Sequence, residues 1–511
     1  MSDKFIYDEV PYPSFTFPQT HPDRLTTLAK LYGLNTAKAE RSRVLELGCG
    51  DGTNLISCAY SLPESNFFGI DLSHHHIEMA KASAEYLGLT NIAFRQADVT
   101  DVLCSDVGKF DFIIAHGLYS WVPDLVREAI LNIYSECLVE NGVGYISYNA
   151  YPGCHLRQIG FEILHQSTPE VNDPFQRVEA GIANLRMFAE AAQEDSLVQS
   201  ILSLEYDQIL ERTTANIFHD EFSATNQPFY FHEFASKIKE YGFQFLSEAD
   251  PASTNHAKLN ENGRKLLDSV SDDIIRREQY FDFIRLTRFR RTLFCRNTIQ
   301  LNRDPDPSIL GDLLIGSQIR SESENAEFTD ASPVKFLNSK GASVTVNHPL
   351  TKVVLNYLRG QWSRSLTFNE LMEEAAKVLG PQNIDIEQRD QTAAFLLHLF
   401  KAGMVKLHTF QAPFADSAGP RPKVSDFARW QIENGSQSVI TLTGNNLEME
   451  DLMQRSMIVL LDGTLSRDEL ESKLGDVLEV PDDQKEEFLS QLPQMIEFSL
   501  EHLAKSGLLV R

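Results

Sequence analysis

A chain of 511 residues, 42% hydrophobic and 23% charged, has the make-up of an ordinary globular protein and is too long for one core, so about three domains are expected. Its 46 Lys and Arg against 72 Asp and Glu leave a net charge of -26, which opposes nonspecific attraction to a nucleic-acid backbone and favours basic partners. No run of about 20 apolar residues is present to span a bilayer, and the opening Met1-Ser2-Asp3-Lys4 leads into no apolar signal segment. The six cysteines, at 49, 58, 104, 137, 154 and 295, have no paired CxxC spacing. A cytoplasmic protein with reduced thiols is expected, with no disulfide framework, no membrane insertion and no nucleic-acid partner.

Tyr7 to Phe17 is aromatic and holds prolines at 11 and 13, with Pro18 directly after, so it stays extended instead of joining the helix behind it. Such an arm can lie across the ends of the strands that follow and cover a ligand there; the plainer reading is apolar packing. Gln19 to Gly33 then predicts a helix, with Thr20 as cap, Asp23 three residues on, and Leu25, Leu28, Ala29 and Tyr32 on one face.

Arg43 to Gly52 reads as a short buried strand running into a turn, Gly48-Cys49-Gly50-Asp51-Gly52, with a helix over Thr53 to Tyr60. Glycines allow the tight turn and let backbone N–H groups approach a ligand. Such a turn is shared by several nucleotide-binding folds, but the acid inside the strand narrows the choice. A carboxylate at Glu46 repels a pyrophosphate and suits a ligand bearing a sulfonium and an ammonium group. The next strand, Phe67 to Asp71, is followed by Leu72-Ser73 and a helix from His74 to Leu87. Asp71, at a strand's carboxyl end, is placed to take both hydroxyls of a ribose. Ile92 to Gln96 leads to Ala97-Asp98-Val99, where an acceptor could meet an adenine amine. Phe110 to Ala115 leads to His116-Gly117, and Val143 to Tyr148 follows a helix over Val126 to Leu138. All five strand ends are expected at one crevice. A nicotinamide-dependent oxidoreductase fits less well, because the turn is not GxGxxG and its strand carries Glu46.

Through ELGCGDG, GIDLS, QADV and the strand ending in AHG, the chain resembles class I S-adenosylmethionine-dependent methyltransferases. The resemblance implies that Glu46, Gly48, Gly50, Asp71, Asp98 and His116 contact S-adenosyl-L-methionine, with Cys49, Gly52, Asn54, Leu72, Val99 and Gly117 completing the set. Tyr7 to Ser14, Gln19 to Leu25, His219-Asp220-Glu221-Phe222, Asn226-Gln227-Pro228 and Phe289 to Leu293 extend the likeness over most of the chain. They are similar to bacterial methyltransferases with a regulatory-domain extension, among them outer-membrane-protein lysine methyltransferases. Phe218-His219-Asp220 departs from that pattern, where a His-Glu pair is more usual.

His155 to Gln227 is helical in period, followed by a helix over Phe229 to Tyr241 and strands over Phe243 to Ser247 and Phe289 to Arg296. These complete a Rossmann-like class I sheet, with residues 156–228 and much of 252–288 as helical insertions. The arginines at 276, 277, 285, 288, 290, 291 and 296 are read as a solvated face paired with nearby acids, in preference to an anion site. Residues 302–333 are polar and read as a linker. Beyond them lies a repeat. Leu355 to Leu358, Thr367 to Leu371 and Leu396 to Val405 match Ile458 to Leu461, Ser466 to Leu470 and Leu500 to Leu509. Each copy predicts a helix, a capped helix and a third helix closed by Gly, as in a winged helix. The candidate recognition helix, Asn369 to Val378, carries Glu370, Glu373 and Glu374 against Lys377, which favours contact with protein over DNA.

The expected organisation is thus a cofactor-binding core over 1–155 and a helical middle or regulatory region over 156–300 that includes the last two strands. A linker over 301–330 and a C-terminal domain of two winged-helix-like halves over 331–511 follow. His74-His75-His76 is not a metal site, because successive helical residues point about 100° apart. Cys49 is explained by close packing and is not read as a nucleophile. Tyr119, Trp121, Tyr148, Asn149 and Tyr151 follow strands four and five and form the candidate rim of a substrate pocket, with Tyr7 and Tyr12 from the arm; ordinary packing competes for the aromatics. No residue stands out as a catalytic base. The expected activity is methyl transfer to a basic or lysine-bearing protein. The alternatives are a small-molecule methyltransferase and a cofactor-binding regulatory protein with little catalysis.

Overall fold

The computed structural model describes residues 14–223, 225–256, 259–478 and 485–510. At its centre is a seven-stranded sheet built from β1 (Arg43–Leu47), β2 (Asn66–Asp71), β3 (Ile92–Gln96), β4 (Phe110–Ala115), β5 (Leu138–Asn149), β6 (Phe243–Glu248) and β7 (Phe289–Arg296), in the order β3-β2-β1-β4-β5-β7-β6. The first five strands are parallel, and β7 runs antiparallel between β5 and β6. Such a sheet buries both faces, which accounts for the largely apolar make-up of β1 and β4. The crossovers are α2 (Thr53–Ser61), α3 (His74–Tyr86) and α4 (Asp124–Cys137), preceded by α1 (Pro22–Leu31). This is the expected class I methyltransferase architecture. The cap of α1 differs from expectation. His21, not Thr20, is the N-cap, accepting from Asp23 N through Nδ1, while the Thr20 hydroxyl donates to Phe17 O at 2.8 Å. Pro22 takes the first helical position, where a missing N–H costs nothing.

The helical insertion comprises α5 (Cys154–Ser167), α6 (Pro174–Ala191), α7 (Leu197–Leu210) and α8 (Thr214–Glu221), around its own small core of Leu164, Val178, Leu185, Leu202, Ile217 and Phe222. The chain returns through α9 (Phe231–Glu240) to β6, then through α10 (Glu261–Asp268) and α11 (Ile274–Arg285) to β7.

Arg290 corrects the reading of the arginine cluster as a solvated face. It is 2% exposed. Its guanidinium meets Asp282 at 2.8 and 2.9 Å, Glu248 at 2.9 Å and Glu278 at 3.2 Å, and lies 4.0 Å from the Phe231 ring centroid. The partners are indeed acids near in space, but they lie on β6 and α11 and are buried. Burial pushes the Glu278 carboxyl up to about 7 despite the guanidinium beside it.

Residues 301–330 do not form a free linker. β8 (Leu314–Gly316) pairs with β12 (Leu366–Thr367) and β13 (Lys406–His408), and β9 (Arg320–Ser321) joins β10 (Val334–Leu337) and β11 (Ser343–Val346). Leu310, Leu313, Ile315 and Ile319 are buried there. Strands of two or three residues are too short to show a period, so composition alone reads as linker.

The repeat holds element by element. The first half contains α12 (Pro349–Gly360), α13 (Phe368–Leu379) capped by Thr367 with Glu370, and α14 (Ile386–Lys401), closed by Gly403 at φ +72°. The second contains α15 (Asp426–Glu433), the hairpin β14 (Ser438–Ile440) and β15 (Asn446–Glu448), α16 (Leu452–Leu460), α17 (Arg467–Val477) capped by Ser466 with Glu469, and α18 (Lys485–Lys505), closed by Gly507 at φ +72°. The first half shares its core with the sheet: Leu25 and Leu28 of α1 belong to one apolar cluster with Ile315, Leu355 and Leu396. Asp23 reinforces the seam, accepting from Thr409 N at 2.6 Å and from His408 Nδ1 at 2.7 Å. The second half has a core of its own and meets α2 through Ile56, Phe427 and Ile440.

Arg290→Ala leaves three buried carboxylates without their cation. It is expected to cost about 3–5 kcal/mol, seen as a lowered urea-unfolding midpoint. Arg290→Lys is expected to recover only part of this, because an ammonium cannot reproduce the planar fork.

Candidate functional site

The sheet order reverses between β1 and β4, and the crevice there is where open α/β sheets take ligands. After Leu47 the backbone doubles over β2, with Gly48 N and Cys49 N donating to Ile70 O at 2.8 and 3.1 Å. Gly48, Gly50 and Gly52 have φ of 70°, 54° and 76°, a left-handed conformation that a side chain would strain. Gly52 stands behind the crevice, not on its wall: a Cβ there would meet Phe94 at 2.7 Å and Ala80 at 2.8 Å. Asp71 secures the turn, accepting from Gly50 N through Oδ2 and from Ser73 N through Oδ1, both at 2.8 Å.

Glu46 forms part of the wall and is 3% exposed. Its Oε1 accepts from Asn54 Nδ2 at 2.8 Å, whereas Oε2 is buried with no partner among the described residues. Burial pushes this carboxyl up to about 8, and Asp51 and Asp71 add repulsion against the Asn54 hydrogen bond. A cation seated beside it would reverse the shift. Burial and the same carboxylates hold the Cys49 thiol well above its ordinary range, so a thiolate nucleophile is disfavoured.

Leu72, Asp98 and Val99 line the far side of the crevice, and Asp98 Oδ1 accepts from Thr100 N at 2.8 Å. At the end of β4, His116 and Gly117 line it too. Burial, with Arg291 nearby, lowers His116 to about 3, so the imidazole is neutral at physiological pH. Its Nδ1 lies 2.8 Å from the Tyr145 hydroxyl, and Gly117 N donates to Ser147 Oγ at 2.7 Å. Ser14, Phe15 and Phe17 form a roof, with the Phe17 ring 3.7 Å from that of His116 and Phe17 N donating to Asn54 Oδ1 at 2.9 Å. Tyr7 and Tyr12 lie outside the described residues.

The crevice continues as one cavity of about 1000 Å³ into a second chamber beneath α5, α7 and α8. Trp121 and Asn149 line it, as expected of a rim. Tyr119 and Tyr148 do not. Both are buried against Phe234, Tyr148 stacked at 4.3 Å and Tyr119 edge-on at 5.7 Å, so packing claims them. The chamber's lining is charged. Arg157 meets Glu221 at 2.5 Å and Asp220 at 3.6 Å; Arg212 bridges the same two acids; Arg288 meets Glu205 at 2.6 Å. Burial raises the Glu221 carboxyl, but Arg157 and Arg212 outweigh it and hold it below the usual range. Phe161 and Phe289 add apolar wall. These positions carried a signal: Arg157, Gly160 and Phe161, like Glu205, Gln208 and Ile209, fall at i, i+3, i+4 on one helix face. A solvated face gives the same pattern. Among the described residues no group of His, Cys, Asp or Glu is placed to hold a metal ion.

Three families match the chain in succession: "Methyltransferase domain" over residues 38–212, "Predicted methyltransferase regulatory domain" over 213–296, and "PKMT, C-terminal winged helix domain" over 420–508. An uncharacterized protein of Rickettsia prowazekii (strain Madrid E) is 34% identical over 394 residues, covering 73% of this chain and 68% of its own. A second from that organism is 32% identical over 246 residues, covering 48% of this chain and 98% of its own. The structure of PKMT2 from Rickettsia typhi in complex with AdoHcy superposes with a TM-score of 0.87 at 25% identity, over 98% of this chain and 100% of that one.

Glu46 gives the site a pH signature. The folded chain holds this proton up to about 8, whereas an ordinary glutamate carboxyl loses it near 4.5. Between those values the folded state binds the extra proton, so its stability falls as pH rises through the window. Glu46→Gln is expected to melt with the wild type near pH 5 and above it near pH 8.5 in the ligand-free protein. Parallel pH profiles for the two would show that Glu46 is not the group responsible.

Proposed function

This chain belongs to the family of the Rickettsia proteins, S-adenosylmethionine-dependent methyltransferases with a regulatory domain and a PKMT winged-helix domain, and from that premise we propose that it methylates lysine side chains of a protein substrate. The observation that carries the reading is the unpartnered, buried carboxylate oxygen of Glu46 in a crevice continuous with a second, charged chamber. S-adenosylmethionine, when bound, supplies a methyl group already activated on a sulfonium. The residues present fit it: Glu46 for the ammonium, Asp71 for the ribose hydroxyls, Asp98, Val99 and Leu72 around the adenine, and the Gly48-Cys49-Gly50 turn for close backbone approach. Asn54 orients Glu46, Gly52 shapes the turn from behind, and His116 and Gly117 border the methionine end. Phe17 and Trp121 exclude water from the path between the chambers.

Transfer then needs alignment more than covalent catalysis. A lysine arrives with a pKa of about 10.4 and must lose its proton before attack. The second chamber offers both signs. Carboxylates at 205, 220 and 221 draw in an ammonium, and arginines at 157, 212 and 288 oppose a further cation and so lower that pKa. In this scheme 1–155 binds cofactor, 156–300 walls the acceptor chamber, and the halves within 331–511 contact protein. Among the described residues no helix is long and apolar enough to cross a membrane, and all six cysteines are free, which fits a reducing, cytoplasmic setting.

Incubation with labelled S-adenosylmethionine and a panel of proteins and metabolites, followed by mass-spectrometric mapping, is expected to place label on lysine Nζ. Label confined to metabolites would replace the protein reading. Asp71→Ala is expected to weaken S-adenosylmethionine binding by about 1.5–3 kcal/mol in calorimetry, the scale of hydrogen bonds to a charged group. Unchanged affinity would remove Asp71 from the ribose site. The full chain is expected not to bind duplex DNA at physiological salt, since the candidate recognition helix is acidic; submicromolar, salt-sensitive anisotropy would revive a regulatory role.

A further inference from the structure

Thr16 is buried, and its polar groups turn to a hairpin more than four hundred residues away. Thr16 N donates to Asn446 Oδ1 at 3.3 Å, Thr16 O accepts from Asn446 Nδ2 at 3.0 Å, and Thr16 Oγ1 donates to Gly444 O at 2.9 Å. One amide side chain thus engages both backbone groups of one residue, as a neighbouring strand would. The next residue turns the other way: Phe17 N reaches Asn54 Oδ1 and its ring lies on His116. Two residues before Thr16, the Ser14 hydroxyl bonds the Asp51 carboxylate.

We propose that Asn446, on the β14–β15 hairpin of the second C-terminal half, is a positioning residue for the cofactor crevice, so that this half governs S-adenosylmethionine affinity by holding the Thr16–Phe17 strap closed. The inference rests on the cofactor reading above and adds to it a role for a half none of whose described residues lines the crevice.

The path is continuous. Asn446 holds Thr16, Thr16 sets Phe17, and Phe17 N occupies Asn54 Oδ1. That contact aims Asn54 Nδ2 at Glu46 Oε1, 2.8 Å away. Residues 14–17 belong to no helix or strand, so a free strap would regain the conformational entropy that closure removes. The hairpin, by contrast, is well braced. Gly444 N donates to Thr441 O at 2.8 Å, and Thr441 N donates to Asn445 O at 2.9 Å. Gly444 adopts φ +73°, as the turn requires, and faces Ser57 of α2. Behind it, Ile440 packs with Phe427 and Ile56. A rigid donor–acceptor pair therefore stands opposite a segment that has no such order of its own.

A purely structural role would have Asn446 dock the half against the sheet domain, as Tyr86 does by donating to Glu433 at 3.2 Å. The test compares full-length Asn446→Ala, Asn446→Asp and Tyr86→Phe with wild type. The readouts are S-adenosylmethionine titration, steady-state methyl transfer, and hydrogen exchange of residues 14–20 in the ligand-free protein. Asn446→Ala is expected to raise Kd and KM for S-adenosylmethionine about tenfold, the scale of one or two lost hydrogen bonds, with kcat nearly unchanged and faster exchange at 14–20. Asn446→Asp keeps an acceptor for Thr16 N but loses the donor to Thr16 O, and is expected between the two. Tyr86→Phe is expected to match wild type throughout. Equal weakening in Asn446→Ala and Tyr86→Phe would overturn the proposal in favour of domain docking, as would unchanged affinity in Asn446→Ala. A wild-type chain that binds no S-adenosylmethionine would sink the parent reading. Unchanged exchange at 14–20 in Asn446→Ala would sink this one alone.

Discussion

Glu46, next to last in β1, is a buried carboxylate with no cation paired to it among the described residues, and the crevice is arranged around that imbalance. Taking an acid out of water is costly unless it is paired or protonated. Here one oxygen is held by Asn54 and the other has no partner among the described residues, so burial keeps the proton on. Two more carboxylates, Asp51 and Asp71, stand close enough to reinforce the effect. Without a cation beside it Glu46 is relieved only by its proton, and a cationic group there would favour the carboxylate. The glycine turn, the Asp71 anchor on Gly50 N and the Phe17 roof enclose the crevice around Glu46.

Elsewhere the protein treats buried charge differently. Arg290 faces three carboxylates, and Arg157, Arg212 and Arg288 are each matched to an acid within the second chamber. In both places some partners are near along the chain, as Asp282 is to Arg290 and Asp220 to Arg212, and others come from distant elements, as Glu248 does to Arg290, Glu221 to Arg157 and Glu205 to Arg288. Such networks lock the insertion and the antiparallel edge to the sheet, since removing one partner strands the others in low dielectric. The chamber therefore has a rigid, internally balanced wall, whereas the Glu46 crevice does not.

The two C-terminal copies share their capping boxes and Gly closures yet occupy different positions in the fold. The first merges into the core of the sheet through Leu310, Ile315 and Leu355, and its own sheet takes a strand from the segment that precedes it. The second keeps a separate core and reaches the sheet domain through a small apolar seam and the hairpin. One unit buttresses the cofactor domain, and the other is joined to it lightly.

Sequence by itself determined the strands ending at Leu47, Asp71, Gln96 and Ala115, the glycine turn, the oddity of Glu46, the helical insertion and both halves of the repeat. Each rests on local chemistry: an apolar run, a left-handed glycine, a Ser or Thr with Glu three residues on. It could not decide that Tyr119 and Tyr148 face Phe234 while Trp121 and Asn149 face the cavity, because an aromatic after a strand packs equally well either way until α9 is placed. Nor could it decide that Arg290 is buried, that residues 314–316 form a strand, or that Arg157 and Glu221 pair across 64 positions and Thr16 and Asn446 across 430. Periodicity and turn chemistry act over a few residues along the chain. Charge pairing and strand pairing act through space, and only the tertiary structure brings those partners together.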